Sequence, residues 1–170
     1  MTADFIQKIS TRASASKFYL FLLNLILDRA IPFNRPHRVR INSIAQGQVT
    51  TSMPFIKRNR NHVGSVHACG LAALCEFTSG ISVMTCLTSN EYRIVLKSLK
   101  VDYHFRAKSA VTCSYSLDEA EFARMVVEPL TKSESVEYDT TSQVFDHNGN
   151  LICTGKATWQ IKKWDKVRSK

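Results

Sequence analysis

Asn61, Gly64, His67 and Glu76 are the residues of this chain whose types and spacing best suit acid–base chemistry. A carboxylate can act as a general base or a nucleophile, and histidine or asparagine can orient a water or a carbonyl. Glu76 is the single carboxylate within residues 29–90. A lone acid that follows a polar loop is therefore the first candidate for a functional group.

Glu76 would have unusual neighbours if its segment is helical. The residues three and four positions away are Ala72, Ala73, Ser79 and Gly80, so no lysine or arginine pairs with it along the helix. Desolvation on such a face raises the pKa of a carboxyl group towards the range of a working base. The alternative is a core glutamate satisfied by a polar partner, and the residues alone leave both interpretations open.

Other reaction classes lack their motifs. The six glycines never group as a phosphate-binding loop, and no G-x-S-x-G sequence is present. His62 and His67 are five residues apart with no carboxylate nearby in the sequence, so we expect no metal site and no cofactor. Cys69 and Cys75 are conceivable nucleophiles, but apolar surroundings predict a raised thiol pKa and a packing role.

The element that positions Glu76 is predicted to be a buried helix beginning near Val66. Residues 66–90 contain no lysine or arginine, and this length exceeds that of an ordinary strand. Small side chains recur along the stretch and allow the backbone of a sheet to approach closely. The prediction places His67 at the start of the helix and Glu76 about two and a half turns into it.

Residues 3–30 are predicted to be helical, in one or two pieces, with Pro32 and Pro36 ending the helix. We expect this segment to pack as a lid on the core and not to attach to a membrane. The apolar run 18–27 would be only about 15 Å long as a helix, half the thickness of a bilayer core. The predicted core-facing residues of this segment are Phe18, Leu22, Leu25 and Ile26.

The rest of the chain has the period-two pattern of strands. Asp118 and Glu121 predict the N-cap of a short helix that Pro129 ends. Asn148-Gly149 predicts a type I′ hairpin turn. The fold class is therefore α+β, with one antiparallel sheet and one principal helix. The predicted extended segments are 39–55 with a bend at Gly47, 99–105, 111–117, 135–146 and 150–162.

The 170 residues carry a net charge of +9 and five cysteines without a C-x-x-C pair. The cysteine pattern predicts reduced thiols and a cytoplasmic protein. The positive charge favours an anionic partner, which would be nucleic acid, an acidic membrane face or a phosphorylated small molecule. The alternative is a solvated positive surface without a binding role. Because no nucleic-acid motif accompanies the charge, we expect no nucleic-acid partner. The predicted organisation is a helical extension (1–36), one main domain (37–163) and a basic tail (164–170).

The chain contains the pattern N-x-x-G-x-x-H followed by an acid nine residues later, formed by Asn61, Gly64, His67 and Glu76. This pattern resembles a motif of the hotdog-fold acyl-CoA thioesterases. The resemblance is to the phenylacetate-pathway type and to a thioesterase-like branch of the superfamily. It covers residues 38–162. It implies a hotdog fold, in which an antiparallel β-sheet wraps around a long central helix, here with an extra N-terminal helix.

The resemblance implies hydrolysis of a fatty or aryl acyl-CoA thioester. Glu76 would be the general base or the nucleophile. The amides of Ala68 and Cys69, at the helix N-terminus, would polarise the thioester carbonyl. Asn61 and His67 would orient water or the carbonyl, with anchoring of the loop as the alternative role of His67. The candidates for binding CoA phosphates are Arg106 and Lys108, followed by Arg58 and Arg60.

The chain departs from the family pattern at two points. Thioesterases of this type have His-Gly-Gly where this chain has His67-Ala68-Cys69. Relatives also place a hydroxyl residue one turn after the acid to hold water, where this chain offers Ser79 or Gly80. A non-catalytic module that binds acyl chains or an acyl-carrier partner is therefore the rival prediction.

The resemblance also implies assembly through two joined sheets. Nine residues turn a helix through about 900° and advance about 13.5 Å, so His67 and Glu76 of one chain do not face one small pocket. A two-fold dimer would bring the loop of one chain to the acid of the other. We expect a homodimer or a dimer of dimers, with acyl-CoA or an acyl carrier as partner and no stable membrane insertion.

Overall fold

The computed structural model describes residues 3–87 and 91–164. Apart from Trp164, the predicted basic tail lies outside the described residues. The helices are α1 (Ala3–Ala15), α2 (Lys17–Ala30), α3 (Ala68–Cys86), α4 (Glu119–Phe122) and α5 (Glu128–Lys132), with a 3₁₀ turn at Lys57–Asn59 and a π-helical turn at Ala123–Val127. The strands are β1 (Arg40–Ala45), β2 (Gln48–Met53), β3 (Tyr92–Tyr103), β4 (Val111–Ser116), β5 (Ser135–Asp146) and β6 (Leu151–Lys163).

The six strands form one sheet in the order β1-β2-β4-β5-β6-β3, and every neighbouring pair is antiparallel. The predicted α+β class and single antiparallel sheet are therefore confirmed. β3 is longer than its alternating sequence indicated, because it begins at Tyr92 and its register against β6 shifts between Leu96 and Ser98. β1 and β3 are the two edges of the sheet.

α3 is the central helix of the fold, and glycines let it lie close to the sheet. A Cβ atom added at Gly155 of β6 would lie 2.6 Å from the Cys75 Cβ atom, and one added at Gly80 would lie 2.7 Å from the Trp159 ring. Of the described helices, α3 alone is long and apolar enough to cross a membrane, and the fold buries most of it. It is therefore the core helix that the sequence predicts.

Hydroxyl groups fix α3 to the β1–β2 hairpin. The Thr51 and Thr78 hydroxyl oxygens lie 2.6 Å apart in the core. The Ser82 hydroxyl donates to the Gly47 carbonyl at 2.7 Å, and the Gly47 N–H donates to the Thr85 hydroxyl at 2.8 Å. These bonds hold the turn of the hairpin against the C-terminal half of α3.

The N-terminal segment is helical, as predicted, and it forms two helices that separate at Ser16. The predicted core face is wrong for Phe18, which is 69% exposed, and for Leu25, which is 39% exposed. Ile26 of that face packs against the core, while Leu23 and Leu27, outside it, are buried. The reason is that α2 has apolar residues on both sides, so its period alone does not select the buried side.

Asn24, which interrupts the apolar run of α2, ties this helix to the sheet. Its side-chain amide donates to the Ile41 carbonyl at 2.9 Å, and its oxygen accepts from the Ile41 N–H at 2.8 Å. Asn24 thus satisfies both backbone groups of Ile41 on the outer side of β1.

Two local predictions are wrong. Pro129 does not end the helical segment, because it occupies the first turn of α5, where a proline needs no N–H bond. Asn148-Gly149 does not form a type I′ turn, since Gly149 has φ +80° while Asn148 does not have a positive φ. Instead, the Asp146 carboxylate accepts from the N–H groups of Asn148 and Asn150 and favours a longer connection that ends in a left-handed glycine. The predicted N-cap is confirmed, because the Asp118 carboxylate accepts from the Glu121 N–H at 2.7 Å.

Candidate active site

Glu76 lies in the third turn of α3 and lines a cavity of about 330 Å³. The cavity lies between α3, the segment that follows α2, and the strands β3 and β6. Its wall is mainly apolar, and includes Ile31, Phe33, Phe77, Ile81, Met84 and Trp159. The shape and lining suit an apolar group, with one carboxylate available to it.

The Glu76 carboxylate has no hydrogen-bond or ion-pair partner among the residues that the structure describes. Burial raises the pKa of Glu76, and desolvation is the sole cause of the change. A core glutamate satisfied by a polar partner is therefore not what this chain contains. The direction of the change is the one that the sequence predicts.

His67 is the N-cap of α3. Its side chain accepts a hydrogen bond from the Cys69 amide, which is one of the two amides of the predicted oxyanion hole. The Nδ1 atom of His67 accepts from the Cys69 N–H at 3.1 Å. The Ala68 N–H has no partner among the described residues, so it remains available to a ligand at the positive end of the helix dipole. The geometry gives His67 the anchoring role through Nδ1, while its Nε2 has no described partner.

Asn61 and Gly64 build the loop before α3. The Asn61 Oδ1 atom accepts from the N–H groups of Val63 and Ser65, at 3.1 Å and 3.0 Å. Gly64 has φ +73°, a conformation that side chains other than glycine rarely adopt. Both residues therefore have a structural reason to occupy these positions, and the Asn61 oxygen is already engaged within the loop.

Asn59 fixes this loop to the rest of the fold, and the sequence analysis did not single it out. Its side-chain amide donates to the carbonyls of His37 and Pro54, at 2.9 Å and 2.8 Å. Its own carbonyl accepts from the His67 N–H at 2.8 Å. Asn59 is 2% exposed. A lone asparagine between two arginines carries no sequence signal for such a role.

Tyr103 also contacts the start of α3. Its hydroxyl donates to the Ala68 carbonyl at 2.9 Å. Tyr103 lies in the predicted extended segment 99–105, but the period-two pattern does not predict a hydrogen bond. The ring remains 49% exposed, beside the N-terminus of the helix.

Four exposed cations flank the N-terminus of α3. The Val66 N–H donates to the Ala107 carbonyl at 2.9 Å, and the His67 N–H donates to the Asn59 carbonyl. These two bonds place one basic segment on each side of the helix start. The cations are Arg58, Arg60, Arg106 and Lys108, all proposed from the sequence to bind phosphates.

The contacts of these cations leave them accessible to an anion. The Arg60 guanidinium lies 5.1 Å from the centre of the Phe55 ring, and an Arg106 Nη atom donates to the Val63 carbonyl at 3.5 Å. Neither contact is an ion pair. The group is therefore a positive patch next to the unpaired Ala68 amide.

Ser79 is buried and does not line the cavity. Its hydroxyl donates to the carbonyls of Cys75 and Glu76 within α3, at 3.1 Å and 3.3 Å. Gly80 does line the cavity, beside Glu76. Of the two positions expected to hold a water, Gly80 has no hydroxyl, and the hydroxyl of Ser79 already donates to the helix backbone.

Cys75 is 1% exposed and lies against two other buried thiols, with its sulfur 4.0 Å from that of Cys153. The hydrogen bond from Cys113, and then that from Cys153, lowers the pKa of Cys75 against the effect of burial. The raised pKa expected for Cys75 is therefore wrong. A substrate has no route to this sulfur, so the packing role remains. Cys69 is exposed at the start of α3, so the packing role predicted for it is wrong.

Within one chain, the Glu76 cavity and the N-terminus of α3 are separate. The residues lining the Glu76 cavity include none of the loop 61–65 and none of residues 67–69. His67 and Glu76 are nine residues apart on one helix, an axial separation of about 13.5 Å. The structure therefore does not bring the carboxylate and the helix N-terminus together within one protomer.

The helix wrapped by an antiparallel sheet, with an acid on that helix, defines a thioesterase-like hotdog fold, and comparison with known proteins confirms it. A Pseudomonas aeruginosa protein of unknown function, described as a "probable thioesterase", shares 25% identity and a TM-score of 0.77 over 84% of this chain and 94% of its own. A thioesterase from Haemophilus influenzae gives 14% identity and a TM-score of 0.65 over 92% and 99%. A variant of a Staphylococcus aureus thioesterase gives 16% and 0.63 over 77% and 98%.

The family described as "Domain of unknown function (DUF4442)" matches residues 21–161, and the chain belongs to this family. No curated protein matches the chain.

Proposed function

We propose that this protein hydrolyses acyl-CoA thioesters. The observation that carries the proposal is the Glu76 carboxylate, which lies unpartnered and desolvated in a mainly apolar cavity of about 330 Å³. A half-buried carboxylate without a partner is costly unless it has a task. Activation of a water beside a bound acyl group, or direct attack on the thioester carbon, is a task that suits it.

The free Ala68 amide supplies the second requirement of thioester hydrolysis. In the tetrahedral intermediate the carbonyl oxygen becomes an oxyanion, which a backbone N–H at a helix N-terminus stabilises. The Cys69 amide is engaged with His67, so one amide and the helix dipole carry this role. We propose that the four flanking cations bind the phosphates of CoA.

We propose that two chains complete the site. β3 is an edge strand of 12 residues whose outer side is unpaired in the described chain. A long edge strand with unpaired backbone groups favours pairing with another strand. Antiparallel pairing of two β3 strands would place the α3 N-terminus of one chain nearer to Glu76 of the other.

Light scattering tests the dimer. We expect a mass of at least twice 19.2 kDa for the wild-type chain. Replacing Val95 with proline, which has no N–H to donate to a strand partner, should yield monomers that lack activity. A wild-type chain that is monomeric and active would contradict assembly through β3.

The substitution Glu76→Gln tests the activity. Glutamine keeps the size of the side chain but is neither a base nor a nucleophile, so we expect loss of at least about a hundredfold in turnover. The assay measures thiol release from a panel of fatty and aryl acyl-CoA esters. Glu134→Gln, at an exposed position, is the matched control and should retain full activity. Full activity of Glu76→Gln would remove Glu76 from the mechanism.

A non-catalytic acyl-binding module is the second candidate. The capped Cys69 amide favours it, because one of two predicted oxyanion donors is already used. Calorimetry on the same acyl-CoA panel separates the two functions. Binding across chain lengths without thiol release would select the binding module, whereas release that depends on Glu76 would select the hydrolase.

A further inference from the structure

The outward side of α2 is apolar, although it faces away from the core. Phe18 is 69% exposed, Phe21 65% and Leu25 39%. At 100° per residue these three residues lie within about 60° of one another around the helix. We call this set the α2 outer face. The other side of α2 already buries Leu23 and Leu27, so packing within this chain leaves the outer face uncovered.

The charges around the α2 outer face are mainly positive. Residues 3–38 contain six lysine and arginine residues and two carboxylates, Asp4 and Asp28. Asp28 is paired with Arg40 at 2.6 Å, so it does not offset the other cations. Lys17 and Arg29 are exposed at the two ends of the helix. An apolar strip between cations is the arrangement of a helix that lies in the interface of an anionic bilayer.

A groove between α1 and α2 also combines apolar side chains with a cation. It has a volume of about 600 Å³, and its lining includes Arg12, Tyr19, Leu22 and Ile26. The Arg12 guanidinium lies 5.6 Å from the centre of the Tyr19 ring. A groove with an apolar floor and a cation beside it suits an acyl chain attached to an anionic headgroup.

Contrary to the expectation from the sequence that residues 3–30 do not attach to a membrane, we propose that the α2 outer face docks this protein on the surface of an anionic phospholipid bilayer. The three apolar side chains enter the boundary between headgroups and acyl chains, and the surrounding cations contact lipid phosphates. A second copy of the chain is the less suitable occupant, since two copies would bring two cationic faces together. The inference stands apart from the proposed function, because surface binding is measured without turnover.

Co-sedimentation of the full chain with vesicles tests the proposal. Vesicles of phosphatidylcholine and phosphatidylglycerol, mixed three to one, should bind the protein about tenfold or more tightly than phosphatidylcholine alone, and added salt should weaken the binding. The double substitution Phe18→Ser with Phe21→Ser should reduce binding by about tenfold or more. It leaves the buried side of α2 unchanged, and circular dichroism checks that the fold is kept.

The matched control replaces two exposed apolar residues on another part of the chain, Met125 and Val127, with serine. These are 49% and 40% exposed, and we expect wild-type binding. Equal binding by the two double variants, or no preference for anionic vesicles, would overturn the proposal. A wild-type oligomer that the substitutions at Phe18 and Phe21 convert to a smaller species would also overturn it, and would identify a second copy as the occupant.

Discussion

The substitution Glu76→Gln should increase the stability of the fold at neutral pH while it removes the proposed base. The carboxylate is desolvated and has no described partner, so burial raises its pKa in the folded state above the unfolded value. Below the unfolded pKa, near 4.3, both states are protonated and the carboxyl group carries no penalty. As pH rises through the folded pKa, the charged form destabilises the folded state. Glutamine, which stays neutral, avoids that loss.

The size of the effect follows from the surroundings of Glu76. One pKa unit corresponds to about 1.4 kcal/mol, and Glu76 remains partly exposed, so solvent reduces the penalty. We therefore expect the variant to be more stable by an amount on the order of 1 kcal/mol near pH 7.5, or roughly 2–4 °C in Tm for a chain of this length. The difference should shrink towards zero near pH 4.

Thermal unfolding of the two proteins across this pH range is the assay, at one fixed protein concentration because assembly would change Tm. Glu134→Gln, at an exposed position, is again the control and should have a Tm close to that of wild type. A Glu76→Gln variant that is less stable than wild type, by the same amount at each pH, would refute the reasoning. That result would mean that the folded chain, or its partner in a dimer, satisfies the carboxylate.

Two further predictions concern the same helix. If Glu76 is the base, the acid limb of the pH–rate profile should lie above pH 4.3, because burial raises the pKa of the carboxyl group that must be ionised. An acid limb near pH 4 would instead show a solvated or paired carboxylate. Gly155→Ala should cost about 1–3 kcal/mol in denaturant unfolding, since the new Cβ would lie 2.6 Å from that of Cys75. A cost below a few tenths of a kcal/mol would mean that α3 and β6 are not in close contact.

The sequence predicted the parts of the fold that depend on local pattern. The period-two segments became strands because alternation reports the two faces of a sheet. The isolation of Glu76 was also readable, since its helical neighbours are small and uncharged. Tertiary contacts decided what the sequence did not show. The bond from Cys69 to His67 Nδ1 depends on the backbone geometry of a helix end, and the polar contacts of Asn59 join segments far apart in the chain.

The outer face of α2 shows the limit of periodicity most clearly. A helix with apolar residues on two sides gives no pattern that says which side meets the core. Asn24 was the decisive residue, because its pairing with the Ile41 backbone fixes the rotation of α2 about its axis. In the sequence it was only an interruption of an apolar run.

The pairing of Asn24 with Ile41 also determines how this sheet can grow. An exposed edge strand is a template on which further chains can add without limit, as in a fibril. Here the side chain of Asn24 engages both backbone groups of Ile41, so α2 blocks one edge of the sheet at that point. β3, at the far edge, is left as the open end. If two copies pair through their β3 strands, each copy has only its β1 edge left, and α2 blocks that edge at Ile41. The joined sheet then cannot grow by adding a third copy.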